Sequence, residues 1–150
     1  MANELLQEWL AKGEEELRSA EYLATMRHPT PDDTICYLCQ QSAEKYIKGL
    51  LFLMDIEPPR SHDLEELITM CSQSGIDFSF ILAKLKILTK YSVITRYPNE
   101  LNITNDDMHM ALQYASDIKD FLIKAITERL EAEAAPGEQG QKYRPGTSAI

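Results

Sequence analysis

A basic stretch, residues 84–98 (KLKILTKYSVITRYP), is the part of this sequence best suited to chemistry. No acidic residue lies between Asp77 and Glu100, although acids outnumber bases 24 to 15 over the whole chain. The guanidinium of Arg96 offers a rigid fork for bidentate recognition of a phosphate. A simpler interpretation is also open. A residue that precedes a proline disfavours the helical conformation, so a helix should stop near Tyr97 and Arg96 would neutralise its terminal carbonyls.

Further cations can supplement Arg96. Lys45 and Lys48 lie on one face of a predicted second helix. If the second and fourth helices are neighbours, these two lysines and Lys90 can join Arg96 around a phosphate. The alternative is a solvated face with a Glu44–Lys48 pair that contributes only about a few tenths of a kcal/mol.

His62 is the only imidazole close to a predicted helix start that also belongs to a recognisable motif, Ser61-His62-Asp63. Asp63 and Glu66 have the spacing of a capping box, so Asp63 should cap a third helix that begins at Leu64. His62 is therefore interpreted either as a local hydrogen-bonding residue or as a member of the phosphate site.

The cysteines favour a structural role. Cys36 and Cys39 form a C-x-x-C, but this lies inside a helical pattern, and Cys71 leaves the number odd. No second C-x-x-C and no histidine cluster completes four metal ligands. We interpret the three side chains as buried thiols that behave as small hydrophobes, and we expect no metal and no cofactor.

Length and charge bound the class of protein. The 150 residues suffice for one domain, with 44% hydrophobic and 26% charged residues as in globular proteins. A net charge of −9 argues against indiscriminate binding to nucleic acid, so any anion site should be local. The acidic, amphipathic N-terminus does not look like a signal peptide and no apolar run spans a membrane, which predicts a cytoplasmic protein.

Hydrophobic periodicity predicts five helices and no strand. We expect Asn3 to cap the first helix and Thr30 to cap the second, with Thr104 and Asp107 opening the fifth. The predicted spans are about 3–26, 31–54, 64–74, 78–97 and 104–132. We expect residues 1–132 to form one all-α bundle and residues 133–150, rich in Gly, Gln, Pro and Ser, to form a disordered tail.

Three motifs stand in order along the chain: QQSAEKYIKGLL (40–51), PPRSHDLEELI (58–68) and KYSVITRYP (90–98). Over roughly residues 4–130 the chain resembles the HEPN family of small prokaryotic helical domains. The resemblance implies an antiparallel up-and-down bundle of four long helices and one short, usually a homodimer. Family members commonly accompany a minimal nucleotidyltransferase and were first described as associated with nucleotide binding. Many others are metal-independent ribonucleases of toxin–antitoxin and defence systems.

The ribonuclease branch of the family uses an arginine and a histidine with four to six residues between them, and two such pairs meet across the dimer. Arg96 matches the arginine, but residues 97–103 contain no histidine. Asn102 occupies one eligible position, yet an amide cannot exchange protons as an imidazole does. His109 lies too far along. In another branch of the family, the partner enzyme modifies a tyrosine that comes just after that histidine. Because the histidine is missing here, the resemblance does not assign this role to Tyr97.

Three hypotheses follow. The preferred one is a non-catalytic HEPN homodimer that binds a nucleotide or nucleic-acid phosphate and pairs with a minimal nucleotidyltransferase, as in toxin–antitoxin pairs. Its candidate ligand residues are Arg96, Tyr97, Lys90, Lys45, Lys48 and His62. The second is a divergent metal-independent ribonuclease toxin that uses Arg96 with Asn102 or His62. The third is a protein-interaction module without a ligand, in which Arg96 only neutralises a helix end.

Overall fold

The computed structural model describes residues 2–27, 29–93 and 102–134. Its α-helices are α1 (Ala2–Leu23), α2 (Asp32–Leu53), α3 (Leu64–Thr69), α4 (Ser79–Thr89) and α5 (Asn105–Ala134), with 3₁₀ helices η1 (Ser72–Ser74) and η2 (Lys90–Val93). The described residues form no strand. The predicted all-α class, with four longer helices and one short, is confirmed.

The directions of α1, α2 and α5 follow from contacts at their ends. Asn3 at the start of α1, Leu53 at the end of α2 and Leu130 near the end of α5 line one groove. At the opposite end, Asn105 Nδ2 donates to Asp32 Oδ1 at 3.3 Å, which joins the starts of α5 and α2. Therefore α2 and α5 are parallel to each other, and α1 is antiparallel to both.

The fourth helix runs back along α5. Lys84 Nζ lies 3.8 Å from Asp117 Oδ2, and the ring of Phe78, before α4, lies 6.0 Å from that of Phe121, one turn further along α5. This antiparallel pairing completes the up-and-down order that the sequence motifs implied.

The central element is α2, because α1, α3, α4 and α5 all pack against it. Thirteen of its 22 residues are buried. The ring of Tyr46, 1% exposed, lies against Gly13 of α1, where a Cβ would approach Tyr46 Cε2 to 2.9 Å. Glycine at this position therefore allows close approach of α1 to α2.

An ion pair and a hydrogen bond tie α1 to α5 and α2. Glu14 on α1 is paired with Lys119 on α5, and the hydroxyl of Tyr46 donates to the same carboxylate at 3.3 Å. The hydrogen bond from Lys119 is the main reason that the pKa of Glu14 lies below its ordinary value.

Two of the predicted helix starts are confirmed in their capping bonds. Asp63 accepts hydrogen bonds from the backbone N–H groups of Glu65 and Glu66. Thr104 Oγ1 accepts from the Asp107 N–H, and Asp107 Oδ2 accepts from the Thr104 N–H, both at 3.0 Å. The second pair is a complete capping box.

Other predicted boundaries are wrong. Asn3 lies within α1 instead of capping it. Thr30 does not cap α2, which begins at Asp32 with no side-chain cap. Its hydroxyl instead donates to the carbonyl of Met26 at 2.7 Å, in the connection that follows α1. The third helix is split, because α3 ends at Thr69 and η1 continues to Ser74.

The predicted ends of the third, fourth and fifth helices agree with the structure to different degrees. The predicted end of the third helix at residue 74 matches the end of η1, which is followed by Gly75 in the left-handed region with φ 78°. The fourth helix passes at Lys90 into η2, and its predicted end near Tyr97 lies outside the described residues. The fifth reaches Ala134, while residues 135–150, most of the predicted tail, also lie outside them.

Candidate functional site

The polar centre of the bundle is the carboxylate of Glu44, on α2, which is 3% exposed. Its Oε2 accepts a hydrogen bond from Lys48 Nζ at 2.8 Å, one helical turn further along. Its Oε1 accepts from Gln40 Nε2 at 3.2 Å, one turn earlier, and lies 2.9 Å from His62 Nδ1. Three groups therefore converge on one buried carboxylate.

These partners determine the ionisation of Glu44. Burial raises the pKa of a carboxyl group and is the largest single effect here. The hydrogen bonds from Lys48, His62 and Gln40, together with the charge of Lys48, outweigh it, so the pKa of Glu44 lies below its ordinary value. Glu44 is thus a buried anion at neutral pH, and Lys48, with a side chain 7% exposed, is its buried counter-charge.

The ionised carboxylate orients the imidazole of His62. A carboxylate without a proton can only accept, so Nδ1 of His62 is the donor in the 2.9 Å contact. In the neutral ring the lone pair then lies on Nε2, which can accept a proton. Gln40 Nε2 also donates to the backbone carbonyl of His62 at 2.9 Å, which fixes this loop against α2. The His62 side chain remains 55% exposed.

Lys45 faces a different neighbour. Its Nζ lies 3.3 Å from Glu16 Oε2 on α1, and it donates to Gln41 Oε1 at 3.2 Å. The pKa of Glu16 is raised, because the effect of burial exceeds that of Lys45. The two lysines that the sequence places on one face of α2 are therefore each paired with a carboxylate, Lys45 with Glu16 and Lys48 with Glu44.

The loop of His62 meets the end of α4. The backbone N–H of Leu64 donates to Thr89 Oγ1 at 2.9 Å. Lys90 follows Thr89, is exposed, and has its Nζ 5.5 Å from the centroid of the Tyr91 ring. The loop that carries His62 is thus joined to α4, the helix on which the basic stretch of residues 84–98 begins.

Arg96 and Tyr97 lie in residues 94–101, outside the described residues. Arg96 follows Val93, the last described residue of η2, by three positions. Asn102 is the first described residue after the gap, is exposed, and adopts a left-handed backbone with φ 49°. The assignments of Arg96, Tyr97 and Asn102 remain predictions.

The three cysteines are free and buried, as predicted. Burial raises the pKa of the thiols of Cys36 and Cys71 to about 12 each, and it raises that of Cys39 as well. Thiols that stay protonated at neutral pH are poor nucleophiles and poor metal ligands. Among residues 2–27, 29–93 and 102–134, no group of His, Cys, Asp and Glu could hold a metal ion.

Sequence reasoning missed the buried centre around Glu44. It treated Lys48 as part of a solvated or phosphate-binding face and gave Glu44 no role beyond a surface pair. A signal was available, since Gln40, Glu44 and Lys48 recur every four residues within a helix that is otherwise strongly apolar. A polar row at this spacing on a central helix indicates a buried network.

Comparison with known proteins places the chain in a family. The HEPN domain profile matches residues 6–126. The chain belongs to the HEPN family. This HEPN domain is similar to the crystal structure of TT1696 from Thermus thermophilus, with a TM-score of 0.68, 24% identity, and coverage of 80% of this chain and 97% of that one. It is also similar to ST0689, an archaeal HEPN homologue, with a TM-score of 0.66, 26% identity, and coverage of 81% and 97%.

No protein of curated function matches this HEPN domain. The structural likenesses agree with the helical bundle described above. No described helix of this HEPN domain is both long enough and apolar enough to cross a membrane.

Proposed function

We propose that this HEPN protein acts without catalysis of its own and binds the phosphate of a nucleotide or nucleic acid around Arg96. The observation that carries the proposal is the acid-free segment between Asp77 and Glu100, which begins on α4 and passes through the exposed Lys90. In a chain with net charge −9, such a segment is a local site for an anion. Family membership supports the further proposals of a homodimer and of a minimal nucleotidyltransferase as partner in a toxin–antitoxin-like pair.

The lysines that the structure describes differ in how available they are to a phosphate. Lys45 and Lys48 are paired with carboxylates, so an arriving phosphate would have to compete with Glu16 or Glu44 for them. Lys90 has no carboxylate within ion-pairing distance among the described residues. We therefore expect Arg96 and Lys90 to contribute most to binding, and Lys45 and Lys48 to contribute to stability.

Calorimetric titration with AMP and ATP tests the proposal. Arg96→Ala should abolish binding of both nucleotides, and Lys90→Ala should weaken it several-fold through loss of one phosphate contact. Arg18→Ala, which removes an exposed cation from α1, is the matched control and should bind as the wild type does. Equal affinity of the wild type and Arg96→Ala would leave Arg96 as a helix-end residue and contradict the proposal.

A second candidate function, a divergent ribonuclease, is favoured by one observation. His62 is half-exposed and its Nδ1 is held 2.9 Å from the ionised Glu44, which leaves Nε2 able to take a proton from a ribose 2′-hydroxyl. RNA cleavage by the purified protein in a chelator tests this alternative. Cleavage by the wild type that is lost in both Arg96→Ala and His62→Gln would establish it and would replace the non-catalytic proposal.

A further inference from the structure

Helix α4 and the first residue of η2 carry an exposed aromatic ring and exposed cations. Phe80, in the first turn, is 59% exposed, and Lys86 and Lys90 are exposed at the other end of the helix. We call these three residues the α4 strip. An exposed phenylalanine and unpaired cations on one helix suit a single-stranded nucleic acid, because bases stack on aromatic rings and phosphates pair with cations.

The cations of the α4 strip differ from most lysines of the protein. Five described lysines form ion pairs with carboxylates: Lys12, Lys45, Lys48, Lys84 and Lys119. Within the part of the chain that the structure describes, Lys86 and Lys90 form none. Their charge therefore remains available to an anion from solution. No acidic residue lies between Asp77 and Glu100, so α4 itself carries no negative charge. The acids near the strip belong to α5: Asp117 is paired with Lys84, and the charge of Lys90 acts on Asp107.

The aromatic ring of the strip is held in place. The Phe80 ring lies 6.2 Å from that of Phe121, with an angle of 24° between their planes. Lys84 Nζ lies 4.7 Å from the centroid of the same ring and 5.1 Å from that of Tyr114. These contacts restrict Phe80 while more than half of its surface stays accessible. A ring fixed in this way can stack on a base with little loss of side-chain entropy.

The spacing along the helix fits one strand. Lys86 and Lys90 are four residues apart, a rise of about 6 Å on nearly the same side of the helix, whereas Phe80 precedes Lys86 by about 9 Å and lies about 120° away around the helix axis. A strand that contacts all three residues therefore crosses α4 obliquely. Successive phosphates of an extended strand can thus contact both lysines while a base lies over the ring. In the sequence, Arg96 follows Lys90 by six residues.

We propose that the α4 strip binds single-stranded nucleic acid, with Phe80 stacking on a base and with Lys86 and Lys90 contacting phosphates. This inference rests on the proposed phosphate site around Arg96 and extends it from one phosphate to several nucleotides. The ligand class is accordingly a single strand and not a mononucleotide alone.

Fluorescence anisotropy with labelled oligouridylate and oligothymidylate of about twelve nucleotides tests the proposal over a range of salt concentrations. The double variant Lys86→Ala/Lys90→Ala should bind more weakly, with the slope of log K against log salt shallower by about 1.4, because each phosphate contact on a single strand contributes about 0.7. Phe80→Ala should weaken binding about tenfold and leave this slope unchanged, whereas Phe80→Trp should restore affinity. The ribo- and deoxyribo-oligonucleotides together show whether the 2′-hydroxyl contributes.

The control is Lys12→Ala/Arg18→Ala, which removes two exposed cations from α1 and matches the change in net charge. Equal losses in both double variants would mean that only overall charge matters and would overturn the proposal. A second copy of the chain is the other partner that this face could bind. Light scattering on the wild type and on Phe80→Ala measures whether a dimer depends on Phe80. Loss of a dimer with unchanged oligonucleotide affinity would make the strip a contact between two copies of the chain and would also overturn it.

Failure of this inference is distinguishable from failure of the phosphate site. If AMP binding depends on Arg96 while the oligonucleotides are insensitive to all strip variants, the phosphate site stands and the strip is refuted. If neither AMP nor the oligonucleotides bind the wild type, both proposals are refuted.

Discussion

Replacing Glu44 by glutamine should destabilise the protein strongly, although glutamine keeps the shape of the side chain and can still accept hydrogen bonds. The wild-type carboxylate is 3% exposed and its counter-charge Lys48 is 7% exposed. Glu44→Gln therefore leaves a buried ammonium without an anion. Loss of one partner of a buried ion pair costs about 3–5 kcal/mol, and we expect about 3 kcal/mol because His62 and Gln40 still fill the site. That is a large part of the stability of a typical domain.

A double-mutant cycle separates charge imbalance from loss of packing. Lys48→Met alone should also destabilise, since it leaves Glu44 with only His62 and Gln40 as partners. The double variant Glu44→Gln/Lys48→Met removes both charges and should lie within about 1–2 kcal/mol of the wild type, because replacing a whole buried pair is often nearly neutral. Urea unfolding followed by circular dichroism near neutral pH measures all four proteins.

The exposed pair Lys12–Glu15, with side chains 55% and 67% exposed, provides the control for this cycle. Glu15→Gln should change the free energy of unfolding by at most about 0.5 kcal/mol. If Glu44→Gln lowered the free energy of unfolding by less than about 1 kcal/mol, the idea of a buried, unpaired ammonium would be refuted, because Lys48 would then have access to water. A double variant as unstable as the single variants would show that polar burial, and not the unpaired charge, sets the cost.

Two further predictions concern pH and packing. The lowered pKa values of Glu44 and Glu14 mean that these carboxylates stabilise the fold above the pKa of the unfolded chain, and that this stability is lost as the pH falls through their folded values. Glu16 has a raised pKa, because burial is its largest perturbation, so its ionised form opposes folding and that cost disappears as the pH falls through its folded value. Carbon NMR of the carboxyl groups should place the midpoint of Glu16 above those of Glu44 and Glu14, and the reverse order would contradict these assignments. Gly13→Ala should lower the free energy of unfolding by about 1 kcal/mol in thermal or urea unfolding, because the new Cβ would lie 2.9 Å from the buried Tyr46 ring and overpacking exceeds the gain in helix propensity. A more stable variant would show that the ring moves aside at little cost.

The helices follow from local sequence features, which is why they could be predicted. The inner face of α5 repeats apolar residues at helical spacing, and all seven of its buried residues belong to that pattern: Met108, Ala111, Ala115, Ile118, Leu122, Ala125 and Ile126. The Thr104–Asp107 capping box is also local, since both partners lie within one turn. Where two local solutions compete, prediction failed. Thr30 had a plausible cap position, but its hydroxyl binds the Met26 carbonyl instead.

The sequence by itself determined five helices, buried thiols, an acid-free basic segment and, through three ordered motifs, membership in the HEPN family. Only the tertiary structure decided which polar residues are withdrawn from solvent. Periodicity tells which side chains share a helix face, but not what covers that face. The face of α2 that carries Glu44 and Lys48 is covered because the loop of His62 binds it through Gln40 and Glu44. This covering turns a surface pair of negligible energy into a buried charge network.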